Sequence, residues 1–534
     1  MRQRFSKKTL ASMQELNSLR EQFRQKIALE KRPAKFDSRI GVVLAGGGAR
    51  GAYEAGALMA FQDARIPTHI ITAASVGSIN AASYAAGSRT TVGNAEKLVQ
   101  SWLELTPAVV GIDWFRYILI LFGLIAASAG IGNFLRQWME DSGIYFHFHN
   151  AKLTWLSLAA AGVTVLFSAD RLPYVGHLCM NLLRGKPWEL HHRKAWISIG
   201  ANIVVWGFVI FFLNSTHVHL PLNGHPYFEL SASPLVLAGM LFLLVLHRLF
   251  LGPLSKISHR FLRLPLRTGL FTNFERTKFL RDRIPQEALR QSPIRVIMTA
   301  TDLNHGSARF FSNAPLEQLL SDACVHEGFV RHEVEYPPDL VQAAVASSSF
   351  TFAYEVVPMD GRSWTDGGVV ANQPIRPALR LGADVLFLVM MTPLEGEESG
   401  EIKTFIDVGI HAVDILVSKN IKSDIAMLNS INRLCLAYAT ELGVKPEQLE
   451  LEIGRQRYRY VRSFNIAPET PLPAATMDFD ADILGPVILQ GYREAAKVVS
   501  EFLEYELTRP ARESRRVVRL AAERVEGNFR TTMA

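Results

Sequence analysis

The feature that most constrains this chain is a short apolar segment that runs directly into a glycine-rich loop and then into a helix-forming segment. Residues 40–58 read IGVVLAGGGARGAYEAGAL. The first five are typical of a buried parallel strand, and the alanine-rich end favours a helix. At such a turn several backbone N–H groups lack a partner within the helix, and the helix dipole favours negative charge. The sequence therefore predicts that this glycine-rich loop binds an anion.

Two kinds of anion fit the loop. Gly46, Gly48 and Gly51 match G-x-G-x-x-G, the dinucleotide fingerprint, which also needs an acidic residue about 20 positions further on. The second predicted strand, 69–73, is followed by Ala74 and Ser75 and carries no carboxylate at its end. A serine between a strand and a helix instead resembles a nucleophile elbow, and the anion is then the oxyanion of an ester carbonyl. The pattern favours the second interpretation.

A serine hydroxyl needs a base, and one candidate lies far downstream. Residues 363–374 read SWTDGGVVANQP and place Asp366 before two glycines, which allow close approach of the backbone. Asp360, followed by Gly361, is typical of a hairpin turn. His305 has no local feature that marks it as a base. The residues alone leave open whether Asp366 is catalytic or an ordinary turn residue.

Taken together, the glycine loop, the serine turn and D-G-G before V-x-A-N-x-P resemble the patatin-like phospholipase family, over residues 38–105 and 290–395. The resemblance implies an α/β fold, a three-layer sandwich with a mainly parallel central sheet, and hydrolysis of lipid acyl esters by a Ser–Asp dyad. It implies Ser75 as nucleophile and Asp366 as general base. It further implies an oxyanion loop and glycines that support the two turns: Gly46, Gly47, Gly48, Arg50 and Gly51, then Gly77, Gly367 and Gly368.

The chain departs from the family pattern at one position. The family's elbow usually reads G-x-S-x-G, whereas this chain has Ala73 two residues before Ser75. An alternative function follows from this difference. The protein would then be a patatin-like membrane protein with weak or no activity that binds lipid or serves as a scaffold.

The two motif regions are separated by four apolar segments, at 117–132, 153–167, 195–213 and 230–251. A membrane-spanning helix needs about 20 mostly apolar residues, which the last two segments provide. The first two are shorter and rich in glycine and alanine, so buried or interfacial helices remain an alternative for them. We expect the α/β fold to be interrupted by an all-α membrane insertion of about four helices.

The number of bilayer crossings and the positions of the basic residues predict how this insertion is oriented in the membrane. Ser75 and Asp366 can share a site only if the chain crosses the bilayer an even number of times between them. Basic residues follow the second apolar segment and flank or follow the fourth, and by the positive-inside rule these regions are cytoplasmic: Arg171, Arg184, Lys186, Arg193 and Lys194, then Arg248, Lys256, Arg260, Arg263 and Arg267. We therefore expect a multi-pass protein of the bacterial inner membrane whose catalytic domain faces the cytoplasm.

The chain has 534 residues, of which 49% are hydrophobic, and a formal charge of +7. The expected domains are a basic N-terminal helix, the first half of the catalytic domain, the insertion, the second half, and a mostly helical C-terminal region: 1–37, 38–110, 111–268, 269–400 and 401–534. The basic helix fits two environments equally well, an anionic lipid surface or the catalytic domain. Helical patterns cover 404–440 and 480–526, with a strand near residues 458–464. No secretory signal peptide is evident.

Little in the chain points to a cofactor or to other partners. The three cysteines are far apart, which is typical of a reducing compartment. The histidine pairs lack accompanying carboxylates or thiolates, so we expect neither a metal nor another cofactor: His147 with His149, His191 with His192, and His217 with His219. Basic residues flank apolar segments, which argues against nucleic-acid binding. The expected partners are a membrane lipid substrate and the lipid bilayer, and no protein partner is identified.

Overall fold

The computed structural model divides the chain into two compact units. The first, the α/β unit, comprises residues 1–111 and 268–534, and the second, the inserted unit, comprises residues 112–267. The structure describes residues 5–31, 33, 36–106, 109–110, 122–123, 125–134, 151–169, 199–207, 269, 271–321, 326–351, 353–393, 405–453, 456–508 and 516–520.

Twelve strands lie within the described residues, all of them in the α/β unit. They are β1 Ile40–Leu44, β2 Ile70–Ala74, β3 Arg295–Asp302, β4 Ser307–Ser312, β5 Val334–Glu335, β6 Val357–Met359, β7 Arg362–Asp366, β8 Val385–Val389, β9 Leu449–Ile453, β10 Gln456–Arg459, β11 Arg462–Ile466 and β12 Arg516–Leu520.

Nine of these strands form one sheet, in the order β11-β8-β1-β2-β3-β4-β5, with the β6–β7 hairpin attached to β3. The five strands from β11 to β3 are parallel, so the predicted α/β fold with a mainly parallel central sheet is confirmed. Every residue of β1, β2 and β8 is buried. This burial explains why these strands read as continuous apolar runs rather than as alternating patterns.

The described helices surround this sheet or belong to the inserted unit. They are α1 Lys7–Leu29, α2 Ala52–Asp63, α3 Val76–Ala86, α4 Ala95–Leu103, α5 Ala151–Ala169, α6 Phe274–Arg283, α7 Gln286–Arg290, α8 Leu316–Ser321, α9 Glu327–Glu333, α10 Leu340–Ser347, α11 Gly368–Ala371, α12 Ile375–Arg380, α13 Phe405–Glu441 and α14 Ala481–Thr508, with short 3₁₀ turns at Gly48–Gly51 and Pro446–Gln448.

Helix α1 lies against α14, so of its two expected environments the structure places it on the α/β unit. Phe23 meets Tyr492 edge to face, with ring centroids 6.1 Å apart. Thr9 donates to Asp482 at the start of α14, which satisfies a buried hydroxyl. Arg20 forms an ion pair with the buried carboxylate of Asp63 on α2, at 2.8 Å. The apolar stripe of this basic helix is therefore covered by protein.

The C-terminal region contains more strand than the sequence predicts. β11 extends the main sheet, whereas β9, β10 and β12 form a separate three-stranded sheet. The predicted helix over 480–526 is wrong at Arg516–Leu520, because these residues form a strand parallel to β9. Residues 509–515, between α14 and this strand, lie outside the described residues. The adjacent β-branched residues Val517 and Val518 favour a pleated surface over a helix. Residues 521–526 lie outside the described residues.

The described parts of the inserted unit include helical residues at 125–134, α5 and 199–207, and the first two of these helices pack closely. A side chain at Gly162 would approach the Ala127 amide nitrogen to 2.2 Å, and one at Gly130 would approach that of Ala159 to 2.3 Å. Small residues thus bring two of these helices into backbone contact.

None of the helices in the described residues combines the length and the apolar character that a bilayer crossing requires. The second expected span, 153–167, falls within α5, about half of whose residues are alanine, glycine, serine or threonine. The fourth, 230–251, lies outside the described residues, as do most of 195–213 and part of 117–132.

Candidate active site

Ser75 occupies a strained turn between β2 and α3. Its backbone has φ +52° and ψ −132°, and Arg65 and Asp360 are the other non-glycine residues with positive φ in the described chain. Such a conformation costs about 1–3 kcal/mol and persists where the surroundings enforce it. A side chain at Gly77 would lie 2.8 Å from the Ala45 carbonyl oxygen, so glycine there lets α3 begin directly against the end of β1.

The elbow forms with alanine at the position where the family usually has glycine. Ala73 is a fully buried residue of β2, paired in register with Leu44 on one side and Met298 on the other. The methyl group is accommodated within the sheet, and Ser75 still adopts the left-handed conformation of an elbow.

Asp366 reaches Ser75 because β2 and β7 occupy successive parts of one edge of β3. β2 pairs with β3 as far as Thr299, and β7 pairs with it from Ala300, which lies opposite Asp366. The two strands therefore meet end to end, although Ser75, which follows β2, and Asp366 are 291 positions apart in the sequence. The Ser75 Oγ donates a hydrogen bond to the Asp366 Oδ2 at 2.6 Å.

The Asp366 carboxylate is held from several sides and is only 2% exposed. Its Oδ1 accepts from the Gly368 amide at 2.7 Å, and its backbone amide donates to the Ser349 carbonyl at 3.0 Å. Burial raises the pKa of Asp366 to about 6, against the hydrogen bonds from Ser75 and Gly368 and the positive charge of Arg276. A carboxylate with this pKa is ionised at neutral pH and can accept a proton there.

The two glycines after Asp366 have separate structural roles. A side chain at Gly367 would lie 2.0 Å from the Thr299 carbonyl oxygen, so glycine allows the turn to pass close to β3 at the point where β2 ends and β7 begins. Gly368 begins α11 and supplies the amide that binds the carboxylate.

The glycine loop lies against Ser75, and only part of it has free donors. The Gly46 amide donates to Asn372 Oδ1 at 3.0 Å, and the Arg50 amide donates to the Gly47 carbonyl at 3.2 Å. Within the described part of the chain, the amides of Gly47 and Gly48 form no hydrogen bond. These two amides can therefore act as donors to an anion beside Ser75.

The remaining predicted loop residues serve other contacts. The Arg50 guanidinium donates through Nε to the Ala474 carbonyl at 3.2 Å, so it is directed toward the segment before α14. A side chain at Gly51 would lie 2.6 Å from Val76 and 3.1 Å from Trp102, so this glycine allows close packing of the loop. The structure thus brings Ser75, Asp366 and the first glycines together and places Arg50 and Gly51 around them.

Sequence reasoning missed three polar residues that support the site. Asn372 clamps Gly46 through both its amide atoms, and it belongs to the V-x-A-N-x-P motif, which could have suggested it. The fully buried Glu54 accepts a hydrogen bond from Asn80 beneath the loop, and burial raises the pKa of Glu54 well above its usual value. Arg276, on α6, acts on Asp366 from a segment with no recognisable motif.

The alternative candidates lie elsewhere. Asp360 and Gly361 form the β6–β7 hairpin turn, with φ of +51° and +73°. His305 pairs with Asp302 at the β3–β4 turn, at 2.8 Å. The described residues contain no cluster of three potential metal ligands, and the three histidine pairs lie outside them.

A family model described as patatin-like phospholipase matches residues 42–216 and 240–379, together more than half of the chain. No curated protein matches the chain. Among solved structures, VipD from Legionella pneumophila aligns over 87% of this chain and 67% of its own, with 12% identity and a TM-score of 0.28.

A second solved structure is human GIVD cytosolic phospholipase A2 in complex with methyl gamma-linolenyl fluorophosphonate and terbium chloride. It aligns over 94% of this chain and 64% of its own, with 10% identity and a TM-score of 0.30. The chain thus spans about two thirds of the length of either structure.

Proposed function

The chain belongs to the patatin-like phospholipase family, and on this premise we propose that it hydrolyses acyl esters of lipids, with Ser75 as nucleophile and Asp366 as general base. The observation that carries the proposal is the hydrogen bond from the Ser75 hydroxyl to the buried Asp366 carboxylate, at 2.6 Å. A nucleophile and its base within hydrogen-bond reach are the minimum for covalent ester hydrolysis.

The first step is attack on the acyl carbonyl. As the Ser75 Oγ bonds to the carbonyl carbon, its proton moves to Oδ2 of Asp366, and the carbonyl oxygen becomes an oxyanion. The amides of Gly47 and Gly48 are the donors available to this oxyanion. One donor of this kind typically lowers the barrier by about 3–4 kcal/mol.

The second step completes the cycle. When the tetrahedral intermediate collapses, the proton on Asp366 passes to the oxygen of the leaving alcohol, and an acyl-serine remains. Asp366 then accepts a proton from a water molecule, which attacks the acyl-serine. As the fatty acid leaves, this proton passes from Asp366 to the Ser75 Oγ, which restores the hydroxyl and the carboxylate. The strained conformation of Ser75 serves both steps, because it holds the hydroxyl at the turn and out of α3.

Assays on vesicles of bacterial phospholipids test this proposal. The purified full chain is expected to release free fatty acid, measured by mass spectrometry, and Ser75→Ala is expected to release none. Parallel assays with a lysophospholipid, a diacylglycerol and a p-nitrophenyl acyl ester would define the substrate class. A folded wild-type protein that cleaves none of these esters would contradict the proposal and favour the non-catalytic, lipid-binding alternative.

We also propose that the inserted unit associates with a bilayer and that the catalytic domain faces the cytoplasm. The support is the apolar composition of the insertion and the distribution of basic residues, together with exposed apolar side chains on its described helices: Phe122, Ile125, Leu156, Val163, Ile203 and Val204. The number of spans stays a prediction.

Flotation with anionic vesicles tests this association. Ile203 and Val204 are 68% and 57% exposed, and Leu303, at the β3–β4 turn of the α/β unit, is 47% exposed. Replacing Ile203 and Val204 with Asp is expected to weaken vesicle binding, whereas Leu303→Asp is expected to leave it unchanged. Equal binding by the two variants would contradict the proposed role of the insertion.

A further inference from the structure

A buried arginine lies close to the Ser–Asp pair, although no sequence motif marks it. Arg276 is the third residue of α6 and is 6% exposed. Burying a guanidinium is costly unless its donors are satisfied, so its position calls for an explanation. Burial lowers the pKa of Arg276, while the negative charge of Asp366 opposes this effect.

The guanidinium of Arg276 binds the segment that follows α10. Its Nη1 donates to the Ser348 carbonyl at 2.6 Å, and its Nη2 donates to the Ser349 hydroxyl at 3.0 Å. Further acceptors are the Val345 carbonyl at 3.3 Å and Asn273 Oδ1 at 2.5 Å. These acceptors are all neutral.

An aromatic ring completes the surroundings of the guanidinium. The Arg276 guanidinium carbon lies 4.0 Å from the centroid of the Tyr354 ring, a favourable cation–π distance. Neutral acceptors and one aromatic face thus orient the cation without direct contact to a carboxylate in the described chain.

The bound segment is also the one that holds Asp366. The Asp366 amide donates to the Ser349 carbonyl and the Gly367 amide donates to the Ser347 carbonyl, both at 3.0 Å. The Thr365 hydroxyl donates to the same Ser349 carbonyl, at 3.0 Å. A displacement of residues 347–349 would therefore move the base, and Arg276 fastens these residues to α6.

The charge of Arg276 bears on the same carboxylate. In the described part of the chain, Arg276 is the charged group that acts on Asp366, and the groups bonded to its carboxylate are the neutral Ser75 hydroxyl and Gly368 amide. A fixed positive charge favours the ionised form of a nearby carboxylate. Without it, burial would favour the protonated acid, which cannot accept the Ser75 proton.

We propose that Arg276 is a positioning residue with two effects: it fixes residues 347–349, to which the backbone of Asp366 is bonded, and its charge keeps the carboxylate ionised. The kinetic consequence rests on the proposed hydrolase function, whereas the coupling between the two side chains does not.

A double-mutant cycle on stability measures this coupling without any reference to activity. Urea unfolding is measured at pH 5 and pH 8 for the wild type, Arg276→Gln, Asp366→Asn and the double variant. Arg276→Gln is expected to destabilise the protein more at pH 8 than at pH 5, and this pH dependence is expected to disappear in the Asp366→Asn background. If Arg276→Gln lowered the free energy of unfolding by the same amount with Asp366 and with Asn at position 366, at both pH values, the electrostatic part of the proposal would be overturned.

The matched control is Arg290→Gln. Arg290 also binds backbone carbonyls, those of Pro337 and Pro338, and its guanidinium carbon lies 4.5 Å from the centroid of the Tyr336 ring. It therefore shares with Arg276 the bonds to backbone carbonyls and the cation–π contact, but at a different loop. Its replacement is expected to lower stability equally at both pH values and in both Asp366 backgrounds.

Kinetics with a soluble acyl ester give the second measurement. Arg276→Gln is expected to move the acid limb of kcat/KM upward by about one pH unit, whereas Arg276→Lys, which keeps the charge, is expected to leave the limb in place and lower kcat. If Arg276→Gln does not fold, Arg276→Lys still tests the positioning effect. A kcat of Arg276→Lys equal to that of the wild type would overturn this effect. If the wild type has no esterase activity, the proposed function fails, while the stability cycle still tests the coupling.

Discussion

The hydroxyl of Ser75 and the carboxylate of Asp366 are joined at 2.6 Å because their strands meet end to end along one edge of β3. This arrangement requires one parallel register, between β2 and β3, and one antiparallel register, between β7 and β3. Both registers are set by buried backbone. The position of the pair is therefore a property of the sheet rather than of a flexible loop.

Removal of either partner is expected to abolish ester hydrolysis. Ser75→Ala removes the attacking oxygen, and Asp366→Asn removes the proton acceptor, so kcat should fall by about a thousandfold or more in each variant. Steady-state assays with a p-nitrophenyl acyl ester measure this loss. Ser83→Ala is the control, because Ser83 is another buried serine of α3, and it should retain activity. Comparable losses in all three variants would point to misfolding.

The pH profile of kcat/KM should report the ionisation of Asp366. Burial raises the pKa of this carboxyl to about 6, and only the ionised form can accept the Ser75 proton. Activity is therefore expected to fall tenfold per pH unit below about pH 6 and to level off above it. A limb centred near pH 4 would mean that the carboxylate is solvated rather than buried.

The same burial predicts that Asp366 makes the protein less stable at neutral pH. Because folding raises the pKa of Asp366 from 3.8 to about 6, the folded state holds this proton more tightly, and the associated stability is lost as the pH rises through 6. Asp366→Asn should therefore be more stable than the wild type at pH 8, by about 2–3 kcal/mol, and the difference should shrink at pH 5. Urea unfolding at both pH values checks the sign.

The glycine loop can be tested with two glycines of similar backbone conformation. Gly48 has φ +59°, and a side chain there would lie 2.2 Å from the Thr476 carbonyl, whereas Gly361 has φ +73° and no atom within 4 Å of that position. Alanine at either position should cost about 1 kcal/mol of stability through the left-handed conformation alone. Only Gly48→Ala should also displace an oxyanion donor and lower kcat. Equal activity of the two variants would exclude the Gly48 amide as a donor.

The local parts of the site could be predicted from the sequence. The apolar run of β1 and the glycine loop form one continuous stretch, and the serine turn follows the next predicted strand, so each of these motifs is local in the sequence. The local sequence does not by itself distinguish Asp366 from Asp360, because both are followed by glycine. The structure separates them by topology: Asp360 lies in the β6–β7 turn, and Asp366 ends β7 beside β3.

The supporting residues could not be predicted in the same way. Arg276 acts on Asp366 through residues 347–349, so its role depends on three segments that are distant in sequence. The amphipathic pattern of α1 is the same whether a bilayer or α14 covers its apolar stripe. At β12, a basic pattern typical of a helix surface surrounds two valines, whose pairing with β9 decides the conformation.

Labelling with a fluorophosphonate probe tests the central claim most directly, because such probes react only with an activated serine. The wild-type protein is expected to carry one label, located at Ser75 by peptide mass spectrometry, and Ser75→Ala should carry none. Asp366→Asn should be labelled far more slowly. A folded wild-type protein that remains unlabelled, or one labelled at another serine, would contradict the assignment of Ser75 and Asp366 as the catalytic pair.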